Sequence, residues 1–400
     1  MRLSNQLIFA TVLTICSGWA NAASIEDELI AIKARLQQLE QHIQLQNETI
    51  SKQNEIIEAK SKQIEELADS SKVHQNDQDW FNKIEIGGVV EVEAVYKNPD
   101  SGDSSSDAVL ATAEIGVAAE INDWVSAETA LLYEEDDTDL EVDIAVISIA
   151  NPNGPWFVDA GLMYTPFGTF ETNLISDPLT LEIGEIRETS VLAGIEANGF
   201  TGGLYAFNGE LSEDGDDDID NLGAFLGYAH ENENSAFGFN MGYITDIGDT
   251  DTLQDVVQEN LDDNAVEYSD HVGGFAVSGM VTFGSFNIFA EYLTATDEFE
   301  MEELAFDGEG ARPEALNIEA GYTFNLGGIA MVLALAYQRT DEAVVLELPQ
   351  ERIIGGLSAE IFENTLLSIE WAHDEDYSDS EGGTDELGGD TITSQLAVEF

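Results

Sequence analysis

The chain has 400 residues, with 13 Lys and Arg against 80 Asp and Glu, for a formal net charge of −67. That balance excludes a nucleic-acid partner, since affinity for a phosphate backbone comes from basic side chains, and a single cysteine, Cys16, excludes a disulfide framework or a cysteine metal site. With 43% hydrophobic and 9% aromatic residues the charge does not signal disorder, so it must sit where water, ions or a lumen solvate it.

Residues 1–22 read as a cleavable signal peptide. Met1 and Arg2 open it, Leu7 to Ile15 is an apolar stretch too short to span a bilayer, and Ala20-Asn21-Ala22 supplies the small–x–small cleavage pattern. Over 24–69 the pattern changes to heptads, with Ile25, Ile32 and Leu39 starting one row and Leu29, Leu36, Ile43, Ile50, Ile57 and Ile64 filling the other. Such a narrow two-row stripe is a coiled-coil seam, and Ile at the second core position favours three or four strands over two, so a homotrimer is expected. Residues 70–80 are polar and form a linker.

From 81 to 400 the period becomes two. Ile84, Ile86, Val90, Val92, Ala94 and Tyr96 fall on one side of the first strand, and Glu85, Glu91, Glu93 and Lys97 on the other. Sixteen such strands are predicted, near 84–97, 108–121, 124–134, 140–150, 156–168, 190–198, 200–209, 222–231, 235–247, 271–283, 286–297, 314–325, 328–340, 351–362, 365–374 and 390–400. Short turns such as Asn198-Gly199 and Gly284-Ser285 alternate with longer acidic loops, among them 98–107, 169–189, 210–221, 248–270, 298–313 and 375–389. Short turns at one rim and long loops at the other are the arrangement of an outer-membrane barrel. The expected fold is therefore all-β: an antiparallel transmembrane barrel of about 16 strands behind a periplasmic helical coiled coil. Phe400 closes an alternating last strand, in the manner of a barrel-assembly signal.

Seven of the bases and twelve of the acids precede residue 81, leaving 6 bases against 68 acids, a balance of −62 for the barrel. Glu91, Glu93, Glu114, Glu128, Asp143, Asp159, Glu196, Glu291, Glu319, Glu360 and Glu370 are expected on the lumen side, where they either favour cations or only solvate a wet wall. The third long loop, 169–189, carries Leu174, Ile175, Leu179, Leu181, Ile183 and Ile186, which should not be left in bulk water. Folding inward would bury them and bring Arg187 into the pore. Arg187, Arg352, Glu91, Glu93, Glu128, Asp159 and Glu291 are thus the candidate pore-lining residues. No nucleotide-binding glycine motif and no Ser/His arrangement supports an enzyme, so no catalytic residue and no cofactor is expected. The five histidines lack paired spacing, and Glu213 to Asp218 and Asp374 to Asp376 lack EF-hand spacing, so no specific metal site is expected either. The expected partners are outer-membrane lipid, lipopolysaccharide and a small-molecule ligand.

With these features the chain resembles the LbtU-type siderophore porins, and more weakly the phosphate-selective porins of the O/P type, whose anion selectivity needs a basic constriction that this sequence lacks. The most specific stretches are Gly161-Leu-Met-Tyr-Thr-Pro-Phe-Gly168 and Ser176-Asp-Pro-Leu-Thr-Leu-Glu-Ile-Gly-Glu-Ile-Arg-Glu-Thr-Ser190. The resemblance implies uptake of a ferric siderophore through a barrel without a plug domain. The residues themselves leave two other classes open: a general cation-preferring diffusion porin, and a structural tether acting through its coiled coil.

Overall fold

The computed structural model describes residues 83–135, 138–211, 219–232, 234–384 and 387–400. The signal peptide, the linker and the heptads with Leu29, Leu36, Ile43, Ile50, Ile57 and Ile64 lie outside the described residues.

Alternation sets the strands. They run β1 (Ile84–Pro99), β2 (Ser105–Asn122), β3 (Val125–Tyr133), β4 (Glu141–Ala150), β5 (Trp156–Tyr164), β6 (Arg187–Ala197), β7 (Phe200–Phe207), β8 (Asn221–Asn232) and β9 (Ser235–Ile244). There follow β10 (Gly274–Phe283), β11 (Phe286–Ala295), a two-residue hairpin β12 (Ala305–Phe306) and β13 (Glu309–Gly310), then β14 (Glu314–Leu326), β15 (Ile329–Asp341), β16 (Glu351–Phe362), β17 (Thr365–Glu375) and β18 (Gly389–Glu399). Leaving out the hairpin, sixteen strands among the described residues close one barrel, each paired antiparallel with its neighbours, and β1 pairs with β18 at the seam. All sixteen expected strands are present.

The outward positions are apolar through the middle of the strands, with Leu204 67%, Phe283 70% and Leu335 60% exposed. A continuous apolar belt of this kind has no counterpart on a water-soluble domain; lipid has to cover it. Aromatic rings gather where the short turns lie. Trp124 meets Trp156 at 5.7 Å between centroids, Phe200 meets Tyr228 at 4.5 Å, and Phe286 meets Tyr322 at 4.7 Å. That is the interfacial girdle of a membrane barrel. The turns are tight because their residues accept positive φ: Asn198 (55°) and Gly199 (82°) take the left-handed pair that a two-residue hairpin needs.

The other rim carries the long connections, which have structure of their own. A six-residue helix, Leu179–Gly184, lies between β5 and β6, and a longer one, Asp251–Asn264, between β9 and β10. The second replaces the plain loop expected over 248–270. Leu253, Val257 and Leu261, spaced four apart on one face, are buried. If short turns are periplasmic, Asp379→Cys should label with an impermeant maleimide in intact cells and Asn198→Cys should not. Labelling at Asn198 reverses the orientation.

Candidate functional site

The third long loop, residues 165–186, does not extend away from the barrel. It crosses the interior and is fastened to the inner faces of β10, β11, β14, β15 and β17. Glu291 on β11 accepts from the Thr169 N–H at 2.8 Å, the Phe170 N–H at 3.2 Å and the Thr180 hydroxyl at 2.9 Å. Glu319 on β14 accepts from the Thr172 hydroxyl at 2.7 Å and the Asn173 N–H at 2.8 Å, and also from the Asn173 side-chain amide. On β17, Glu370 accepts from the Ile175 N–H at 2.7 Å, the Ser176 N–H at 3.3 Å and the Ser176 hydroxyl. Ser278 on β10 accepts from the Thr169 hydroxyl at 2.8 Å, and Gln338 on β15 accepts the Leu179 N–H at 3.2 Å.

The three carboxylates are 5%, 0% and 2% exposed. Buried anions are tolerated only when their lone pairs are filled, and here the donors are the loop's own N–H and hydroxyl groups. A hydrogen bond to a charged group contributes about 1.5–3 kcal/mol, so the three clamps offset part of the entropy lost in ordering the loop they hold. Apolar packing completes the attachment. Phe167, Leu179, Ile183 and Ile186 join Leu253, Val257 and Leu293 in one buried cluster, and Leu174 packs on Ala336, Ile354 and Ala372. Glu291, expected among the pore-lining acids, is therefore covered by the loop. Glu319 and Glu370 serve with it, while Gln338, Thr169, Thr172 and Ser176 were not expected; a lone Gln between Ala336 and Thr340 on the inner face of β15 was the available signal.

What the loop presents to the remaining lumen is acidic. Asp177 faces open space, yet the surrounding wall limits its hydration. That desolvation, reinforced by Glu182, Glu134, Glu91 and Glu370, raises its carboxyl to about 6. Burial raises Glu185 to about 7, with Asp251, Asp177, Glu182 and Asp143 acting in the same sense. Glu91 and Glu93 have lumen parity on β1, Glu128 on β3 and Asp159 on β5; Glu93 accepts from the Gln395 amide at 2.9 Å.

The basic residues take other places. Arg187 was expected in the loop; instead β6 begins with it, paired with Tyr164. Its backbone position thereby shares the outward parity of Val191 and Ile195. Its guanidinium binds Glu141 and lies 3.5 Å from Asp143, which also accepts the Tyr164 hydroxyl at 2.7 Å. Arg352 does face the lumen, bound in two-point fashion to Asp374 at 2.7 and 3.0 Å. Phe400 exchanges backbone hydrogen bonds with Gly88, both 3.0 Å, at the seam. Among the described residues no group of three or more His, Cys, Asp or Glu is arranged to hold a metal, and residues 212–218 lie outside them.

No protein-family model matches the chain. It is 29% identical over 318 residues to a UPF0422 protein of Legionella pneumophila (strain Paris), covering 74% of this chain and 59% of that protein. A UPF0422 protein of Coxiella burnetii is 26% identical over 306 residues, with 74% and 65% covered. The chain thus spans about three fifths to two thirds of the length of these relatives. Among solved structures it is similar to OmpF of Salmonella typhi in complex with daunomycin, with a TM-score of 0.56 at 13% identity over 79% of this chain and 97% of that one. It is likewise similar to OprB of Pseudomonas putida at high pH, with a TM-score of 0.57 at 10% identity over 80% and 95%. At such identities the likeness is one of fold: a closed, porin-like sixteen-strand barrel.

Proposed function

We propose that this protein is an outer-membrane diffusion porin that prefers cations. The observation that carries the reading is the acidic face of the inserted loop: Asp177, Glu182 and Glu185 stand opposite wall carboxylates close enough for Glu91 and Glu134 to act on Asp177. A constriction with carboxylates on both sides attracts cations and repels anions. In a bilayer with a KCl gradient the reversal potential should therefore lie on the potassium side.

The same measurement has a pH dependence. Glu185 and Asp177, raised to about 7 and about 6, are negative above those values and take up protons as pH falls through them. Potassium preference should decline from about pH 8 to about pH 5, most steeply between 7 and 6, and Glu185→Gln with Asp177→Asn should remove that step. A step of unchanged size in the double variant assigns it to other groups.

Ferric-siderophore uptake is the second reading. It is favoured by where its motif falls, since Gly161 to Gly168 and Ser176 to Ser190 build the loop and its two supporting strand ends. Solute selection by a related protein would act through this same element. Growth on a ferric chelate as sole iron source, lost on deleting the gene while potassium current in purified protein persists, would support it. For the assembly we infer a homotrimer held by the heptads. Ile43→Asp with Ile50→Asp should convert trimer to monomer in mild detergent, and a monomeric wild type overturns it.

A further inference from the structure

The barrel's few bases are not spread evenly. Among the described residues, Lys97 on β1 and Arg352 on β16 are the basic side chains with lumen parity on the strands, and both line one recess at the long-loop rim. Arg187 and Arg339 have outward parity, and Arg312 is bound to Glu314 in a loop. The recess measures about 440 Å³, within the range of small-molecule sites. It opens beside Ser176 of the inserted loop, with Glu93, Glu347, Asp374, Asp390 and Thr391 also on its wall.

We propose that this recess binds a short zwitterionic peptide, with the peptide's carboxylate at Lys97 and Arg352 and its ammonium group directed inward to Glu93. The inference rests on the pore reading above and deepens it. Asp374 occupies two of the five guanidinium N–H groups of Arg352, which fixes the guanidinium plane and leaves donors for a second carboxylate. Strands β1 and β16 stand three strand spacings apart, about 14 Å, so two long basic side chains reaching inward converge on a solute-sized gap. Glu93 lies four residues along β1 from Lys97 on the same face, about 13 Å deeper.

An entering solute therefore meets bases and carboxylates together: Lys97 and the Arg352–Asp374 pair share the wall with Glu347 and Asp390, and Glu93 lies deeper along β1. Only a solute carrying both signs, separated along its length, matches both. A free anion meets only two bases among these carboxylates, and an inorganic cation leaves both bases unmatched. A zwitterion with zero net charge also escapes the general repulsion that the barrel exerts on anions.

The test is saturable block of potassium current through the full-length protein in a planar bilayer, with alanyl-alanine added to the long-loop side. Alanyl-alanine should block, whereas its N-acetylated form, lacking the ammonium group, and its C-amidated form, lacking the carboxylate, should not. Lys97→Gln, an exposed change that leaves the Arg352–Asp374 pair intact, should raise the half-blocking concentration by about tenfold, the loss of one charge-assisted hydrogen bond. Arg352→Gln should do the same, and Arg339→Gln on the outer face should leave block unchanged. Equal block by all three peptides, or block unaltered by Lys97→Gln, overturns the proposal. The reversal potential recorded in the same bilayers separates the two failures: cation-selective current without peptide block removes only this site, whereas current without cation preference removes the porin reading beneath it.

Discussion

Replacing Asn173–Glu185 with a short Gly-Ser bridge should raise single-channel conductance severalfold and weaken potassium preference at the same time. The segment removed contains the Glu319 and Glu370 contacts of the loop, its helix, and the carboxylates of Asp177, Glu182 and Glu185. Conductance follows the narrowest cross-section, so clearing the loop widens the path. Selectivity follows the charges at that same place, so it weakens along with the widening. The two changes have to occur together. A larger conductance with undiminished selectivity assigns the filter to the wall carboxylates alone, and an unchanged conductance means that the loop is not what narrows the pore.

Glu319→Ala is the second change with a large expected effect. Glu319 is fully buried, and its removal strands the Asn173 N–H, the Asn173 amide and the Thr172 hydroxyl. Each buried donor left without a partner costs about 1–3 kcal/mol, enough together to undock the centre of the loop for part of the time. The current should then flicker between the wild-type level and a higher one, and the loop should become cleavable by added protease. Glu319→Gln keeps an acceptor oxygen in place and should flicker far less. A steady wild-type current from Glu319→Ala shows that the flanking clamps at Glu291 and Glu370 suffice without it.

The strands were legible because their signal is local. A period of two needs only four or five residues to declare itself, and the outward row of β11, from Phe286 through Ile288, declares it plainly. The inward fold of the third loop was legible from Leu179, Ile183 and Ile186, which no exposed loop would keep. What alternation does not give is a partner. Parity placed Glu291, Glu319 and Glu370 on the lumen side but said nothing of their being covered, because the donors lie 122, 146 and 195 residues away in the chain.

Arg187 was placed differently for a related reason. With the strand starting at 190 it belongs to the loop; with Tyr164 pairing to it, three residues of extra strand give it an outward parity. The helix Asp251–Asn264 was legible in principle, as Leu253, Val257 and Leu261 recur at helical spacing, but the acidic residues around them gave it the look of a solvated loop.

The clamped loop also has a mechanical side. A closed sheet one strand thick is a thin-walled tube, stiff along its hydrogen bonds but easily flattened from round to oval by uneven lateral pressure. By tying β10 and β11 to β14, β15 and β17 from within, the loop acts as an internal brace across one arc of that tube. That arc keeps its curvature when the bilayer thickens or is compressed, while the arc from β1 to β3 is left to absorb the deformation. Conductance of the wild type should accordingly vary little between thin and thick bilayers, and that of Glu319→Ala should vary more.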